Sequence, residues 1–181
     1  MFRYRSRLRS VIVAMILLIM STSLYALVGA PMTYACSGNC QSLTNTPTAV
    51  VTLNGTDQMV SYPLEFSLNN IGTIGWHVSI TSTQFATGSN PAHMLSVSAS
   101  SVIGVTAVCQ TGQTCTADPQ NAMRYPVGVP VTPNAVAFYD TQTNSGIGSF
   151  DVIATINTVV PANAYSGMYT STITIALSDG P

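Results

Sequence analysis

Lysine is absent from this chain of 181 residues, and charge of either sign is scarce, at 6% of the sequence. Four of the five basic residues, Arg3, Arg5, Arg7 and Arg9, crowd the N-terminus. Beyond residue 35 the only cation is Arg124, set against Asp57, Glu65, Asp118, Asp140, Asp151 and Asp179, for a net charge of −5 with histidine neutral. Such a chain offers no Lys/Arg patch, which excludes nucleic acid as a partner and leaves poor material for a phosphate site. Solubility must then rest on Ser, Thr, Asn and Gln. That surface suits contact with carbohydrate or with copies of itself.

Helical periodicity is also missing. Past the N-terminal segment no stretch keeps a 3.6-residue apolar period over three turns, and Ser, Thr, Gly, Pro and β-branched residues dominate, which disfavours helix and suits strands. Catalytic motifs are missing as well. There is no Gly-x-Ser-x-Gly elbow, no His-Glu-x-x-His and no cysteine beside an activating histidine. Glu65 is the only glutamate, and the aspartates show no calcium-loop pattern. We expect no enzyme, no cofactor and no metal.

The N-terminus carries an export signal. Residues 3–9 form a basic region, residues 11–20 are almost wholly apolar, and small residues follow. Thr33-Tyr34-Ala35 makes a signal-peptidase site after Ala35, with a second site after Ala30. An apolar core of about ten residues is short for a membrane span, which needs roughly 20. Read through to Ala30 it is long enough, so an uncleaved anchor is the alternative and the only route to a membrane. The organisation expected is a leader at 1–35, a polar lead-in at 36–47 and one domain at 48–181. The destination is outside the cell, at the cell surface or wall.

Four cysteines, Cys36, Cys40, Cys109 and Cys115, all follow the cleavage site. An even number in an exported chain points to disulfides. Local pairs 36–40 and 109–115 are the simplest of three connectivities. Neither spacing is CxxC and neither pair has a neighbouring histidine, which argues against zinc.

The remaining chain alternates apolar and polar residues with period two, as half-buried strands do. Strands are expected at 48–53, 58–68, 74–82, 92–100, 103–109, 134–140 and 149–159, and as one terminal strand from about residue 165 to 177. Asn54-Gly55 is a hairpin signal, Pro63 favours a sheet edge or a bulge, and residues 117–133, with four prolines, read as an irregular excursion. The fold class expected is all-β, an antiparallel sandwich or barrel in a single domain. Trp76 shares a face with Val78 and Ile80 and reads as core, with sugar stacking as the functional alternative; His77 lies on the opposite face.

Several phrases together carry a family resemblance. They are Gly75-Trp76-His77-Val78-Ser79-Ile80, the following Gln84-Phe85, Gly146-Ile147-Gly148 before a strand, the Val160-Pro161 turn, and the ending from Tyr169 to Pro181 that contains Ile175-Ala176-Leu177. Across roughly residues 62–181 the chain resembles the WxL-domain surface proteins of Gram-positive bacteria. Two Trp-x-Leu motifs characterise that family. Here the first has Val78 in place of leucine and the second has Ile175 in place of tryptophan, with Leu177 retained. The resemblance implies a secreted β-rich domain that associates non-covalently with peptidoglycan, with Trp76, Val78, Ile175 and Leu177 as the motif positions. The partner expected is cell-wall glycan. The alternative, read from composition, is a structural subunit that assembles with other copies into a surface layer or filament.

Overall fold

The computed structural model describes residues 25–29, 40–43 and 46–180. Twelve strands and no helix occur among them. In chain order they are β1 (Tyr25–Gly29), β2 (Cys40–Leu43), β3 (Thr48–Thr52), β4 (Gln58–Ile71), β5 (Trp76–Ser82), β6 (Ala86–Thr87), β7 (Ser100–Cys109), β8 (Val127–Gly128), β9 (Val136–Thr141), β10 (Gly148–Val160), β11 (Gly167–Thr170) and β12 (Ile173–Asp179). They form a five-stranded sheet in the order β2-β4-β10-β7-β8, a three-stranded sheet β12-β5-β9 and a four-stranded sheet β3-β1-β11-β6. The sheets pack as a sandwich and do not close into a barrel. Every strand pairing is antiparallel except β1 with β11.

Alternation builds the main core. Along β4, Tyr62, Leu64, Phe66 and Leu68 point inward, and along β10 Phe150, Val152, Ala154 and Ile156 do the same. The two strands pair over their whole length, from Gly148 with Ile71 to Val160 with Gln58. They meet Trp76, Val78 and Ile80 of β5, Phe138 of β9 and Ile173, Ile175 and Leu177 of β12. Pro63 is in register with Thr155 of β10 and lies outside the stretch Phe66–Leu68 that pairs with β2. A bulge between Val78 and Ser79 makes Val78 face Tyr139 and Ser79 face Ala137. The inserted residue breaks the alternation of β9, so that Phe138 and Tyr139 are both buried.

A second, smaller core collects Val60, Phe85, Leu95, Ala99, Val160 and Tyr169, with Ala49, Val51, Leu53 and Ala164 packed against it. It lies where the four-stranded sheet meets the far ends of β4 and β10. Near this end a buried hydroxyl chain runs from Tyr62 through Thr158 to Ser100, at 3.2 and 2.8 Å.

Three expectations need correction. Residues 165–177 are two strands in two sheets, β11 and β12. The break falls at Ser171, which is buried and donates to the Thr83 carbonyl at 2.6 Å, while Thr172 N–H donates to the Thr83 hydroxyl. Residues 92–99 are not a strand. Ser96 turns the chain, its hydroxyl accepting from Ser98 N–H and its carbonyl from Ala99 N–H, and only Leu95 and Ala99 of this stretch are packed inward. The polar lead-in at 36–47 contributes β2 to the main sheet. The leader at 1–35 lies outside the described residues apart from Tyr25–Gly29, which forms a strand.

Candidate functional site

The motif positions come together, but inside the protein. In the β12–β5 ladder Leu177 faces Val78, Ile175 faces Ile80 and Asp179 faces Trp76. Trp76, Val78, Ile175 and Leu177 are all buried in the main core. Trp76 is held on several sides: its Nε1–H donates to the Gly146 carbonyl at 2.9 Å, and its ring stacks on Tyr139 with centroids 5.2 Å apart. The Thr141 hydroxyl accepts from its backbone N–H and donates to its carbonyl, both at 3.0 Å. Gly146 has φ +64, and a Cβ there would lie 2.8 Å from the indole nitrogen; only glycine fits both the turn and the ring. The Gly-rich phrase and the tryptophan are thus one structural unit. Burial pushes the Tyr139 phenol up to about 12, with the neighbouring Tyr125 adding to it.

Cys109 and Cys115 are disulfide-bonded and close the hydrophilic loop 110–114. For a loop this short the chain-entropy contribution is at most about 2–2.5 kcal/mol, so the bond pins a loop at the end of β7. Cys36 lies outside the described residues, and Cys40 is described only as the first residue of β2. His77 sits outward on β5 with Nδ1 3.0 Å from the Gly180 carbonyl, tying down the chain after β12. No group of three or more metal-ligating side chains occurs among the described residues.

The exposed aromatic site lies elsewhere. His93 and Tyr165 stack face to face, centroids 3.7 Å apart and planes 12° from parallel. They stand on two loops that flank a cleft of about 320 Å³. The first loop is clamped at its ends: Thr87 N–H donates to the His93 carbonyl and His93 N–H to the Thr87 hydroxyl, both at 2.9 Å. The second is fixed by Ala162 N–H donating to Asp57 at 2.8 Å, by Ala164 N–H donating to the Pro161 carbonyl, and by the Tyr169 hydroxyl donating to the Tyr165 carbonyl at 3.1 Å. Leu95 and Tyr169, from the second core, also line it. Burial raises the Tyr169 phenol above its ordinary value, so it remains a neutral donor.

Tyr165 is 61% exposed and Met94 60%, so their apolar surfaces face solvent from a backbone that is hydrogen-bonded on both sides. Asn163 adds an amide and His93 an imidazole, and no carboxylate, lysine or arginine is among the lining residues. Chemically the site can stack against an apolar face and exchange hydrogen bonds through its amide, imidazole and phenol groups. Sequence reasoning missed it. His93 and Tyr165 stand far apart in the chain, in segments read as strand, and only Pro91 and Pro161 hinted at loops there.

Comparison with known protein families found no family model that matches the chain, and comparison with curated proteins found no match.

Proposed function

We propose that this chain is an exported, non-catalytic domain of the cell surface that associates non-covalently with cell-wall glycan through the His93–Tyr165 cleft. The observation that carries the reading is the stacked aromatic pair, with Tyr165 facing solvent, on clamped loops in a cleft lined by no carboxylate, lysine or arginine. Pyranose rings present C–H faces that lie against aromatic rings, with hydroxyls left to bond amides and carbonyls. A volume of about 320 Å³ falls within the range of small-ligand clefts. Hydrolysis of a glycan needs two carboxyl groups flanking the bond, and the cleft lining offers none. Export is supported by the N-terminal signal and by the 109–115 disulfide. The WxL-like phrases support a wall-associated domain, while burial of their side chains argues that they build the fold and that contact is made elsewhere.

Co-sedimentation of the exported protein with purified peptidoglycan tests the reading. We expect retention of the native protein above that of a control of similar charge, and a drop of about tenfold for Tyr165→Ala with folding unchanged. Absence of retention by the native protein would remove the proposal.

A further inference from the structure

The lining of the His93–Tyr165 cleft bears on which sugar it can hold. With centroids 3.7 Å apart and planes 12° from parallel, the stack covers one face of each ring. Tyr165, 61% exposed, is left with one open face, enough for a single layer of ligand. A cleft of about 320 Å³ lies at the small end of ligand sites, which run from about 300 to 1,000 Å³, so it suits one sugar unit with a small substituent. The remaining lining is of two kinds. Ala92, Met94, Leu95 and Ala164 give methyl, methylene and thioether surface. Asn163, next to Ala164 in the chain, gives the one carboxamide. It is exposed, and its side chain has no hydrogen-bond partner among the described residues. The Tyr169 hydroxyl, by contrast, is already committed to the Tyr165 carbonyl. A free carboxamide matches another amide on both counts, since its NH2 donates to the partner's carbonyl and its oxygen accepts the partner's N–H. Apolar surface beside it suits a methyl group. A ligand hydroxyl in the same place could bond Asn163 but would bury no carbon.

Charge narrows the choice further. The charged side chain bonded to these loops is a carboxylate, Asp57, which accepts the Ala162 N–H at 2.8 Å. Beyond residue 35 the chain carries a net charge of −5 with histidine neutral. A ligand carboxylate or phosphate would meet like charge and find no lysine or arginine in the lining. We propose that the cleft selects an uncharged N-acetylated amino sugar, its pyranose ring on Tyr165 and its acetamido group on Asn163, and rejects sugars that bear a carboxylate or phosphate. This rests on the glycan reading above and makes Asn163 the residue that determines specificity.

Titration calorimetry of the exported protein with three probes decides it. Triacetylchitotriose carries the acetamido group without charge, cellotriose replaces each acetamido group by a hydroxyl, and a hyaluronan tetrasaccharide keeps the acetamido group but adds carboxylates. Triacetylchitotriose should bind about tenfold tighter than cellotriose, the worth of one hydrogen bond and one buried methyl together. It should also bind about tenfold tighter than the hyaluronan fragment at low salt. Asn163→Ala should bring the affinities for triacetylchitotriose and cellotriose together, and Tyr165→Ala should weaken both. Equal affinity of the native protein for triacetylchitotriose and cellotriose, a preference that survives Asn163→Ala, or a hyaluronan fragment bound as tightly as triacetylchitotriose would each overturn the proposal and leave the glycan reading standing. Failure to bind any probe overturns it as well. Co-sedimentation with peptidoglycan then separates the two claims: retention that depends on Tyr165 keeps the glycan reading, and no retention removes both.

Discussion

The two cores of this sandwich are built on different terms. The main core takes long, fully paired strands from two sheets and closes around Trp76, Phe66, Phe138 and Phe150, all fully buried. The second holds six buried residues, three of them on loops (Phe85, Leu95 and Ala99), and its sheet is completed by a strand from the far N-terminus. One end of the molecule is therefore committed to stability. The other carries the exposed rings, the clamped loops and the short strands β6 and β11, and should be the end that opens first. The resemblance to a binding motif falls on the committed end, and the surface able to bind falls on the other.

The sharpest way to break this contrast is to damage both ends and compare them. Trp76→Ala should cost the most, about 3–5 kcal/mol as for other buried aromatic truncations, read by denaturant unfolding. Gly146→Ala should follow, at about 2–3 kcal/mol, from a positive φ and a Cβ pressed on the indole; its loss should be smaller in a Trp76→Phe background if the two form one unit. Leu95→Ala should come third, near the low end of about 2–5 kcal/mol for such truncations. Hydrogen exchange should show its effect confined to amides around residues 85–99 and 160–170. A Leu95→Ala loss as large and as global as that of Trp76→Ala would erase the distinction.

Alkaline pH gives the smallest effect. The Tyr139 phenol is raised from 10 to about 12, so between those values the native state holds a proton the unfolded chain has lost. Its contribution is complete below pH 10 and is lost as pH rises through about 12. Thermal unfolding across this window should show stability falling with pH, and Tyr139→Phe should flatten the slope.

Most of the fold was legible because period-two alternation was written over long stretches. Residues 58–68, 74–82 and 149–159 became β4, β5 and β10, with the inward faces expected. Failure came where that period carries no information. Tyr169 and Ile173 keep the same parity across the break at Ser171, so a change of sheet leaves no trace in the pattern. Residues 92–100 alternate, but the Ser96 turn outcompetes pairing. A strand at 25–29 cannot be told from the end of a leader, since both are apolar. Of the candidate site residues, the disulfide at 109–115 was legible from local spacing. Burial of Trp76 followed from its face, while the His93–Tyr165 stack depends on two distant loops meeting and had no linear signature.

Trp76 is the only tryptophan, so intrinsic fluorescence reports on that one side chain, and acrylamide quenching of the exported protein with and without wall glycan tests the core assignment directly. The account predicts a shielded indole whose emission and slow quenching are unchanged by saturating glycan, even as Tyr165→Ala loses retention on the wall. Rapid quenching that glycan suppresses would place Trp76 at the contact surface and contradict it.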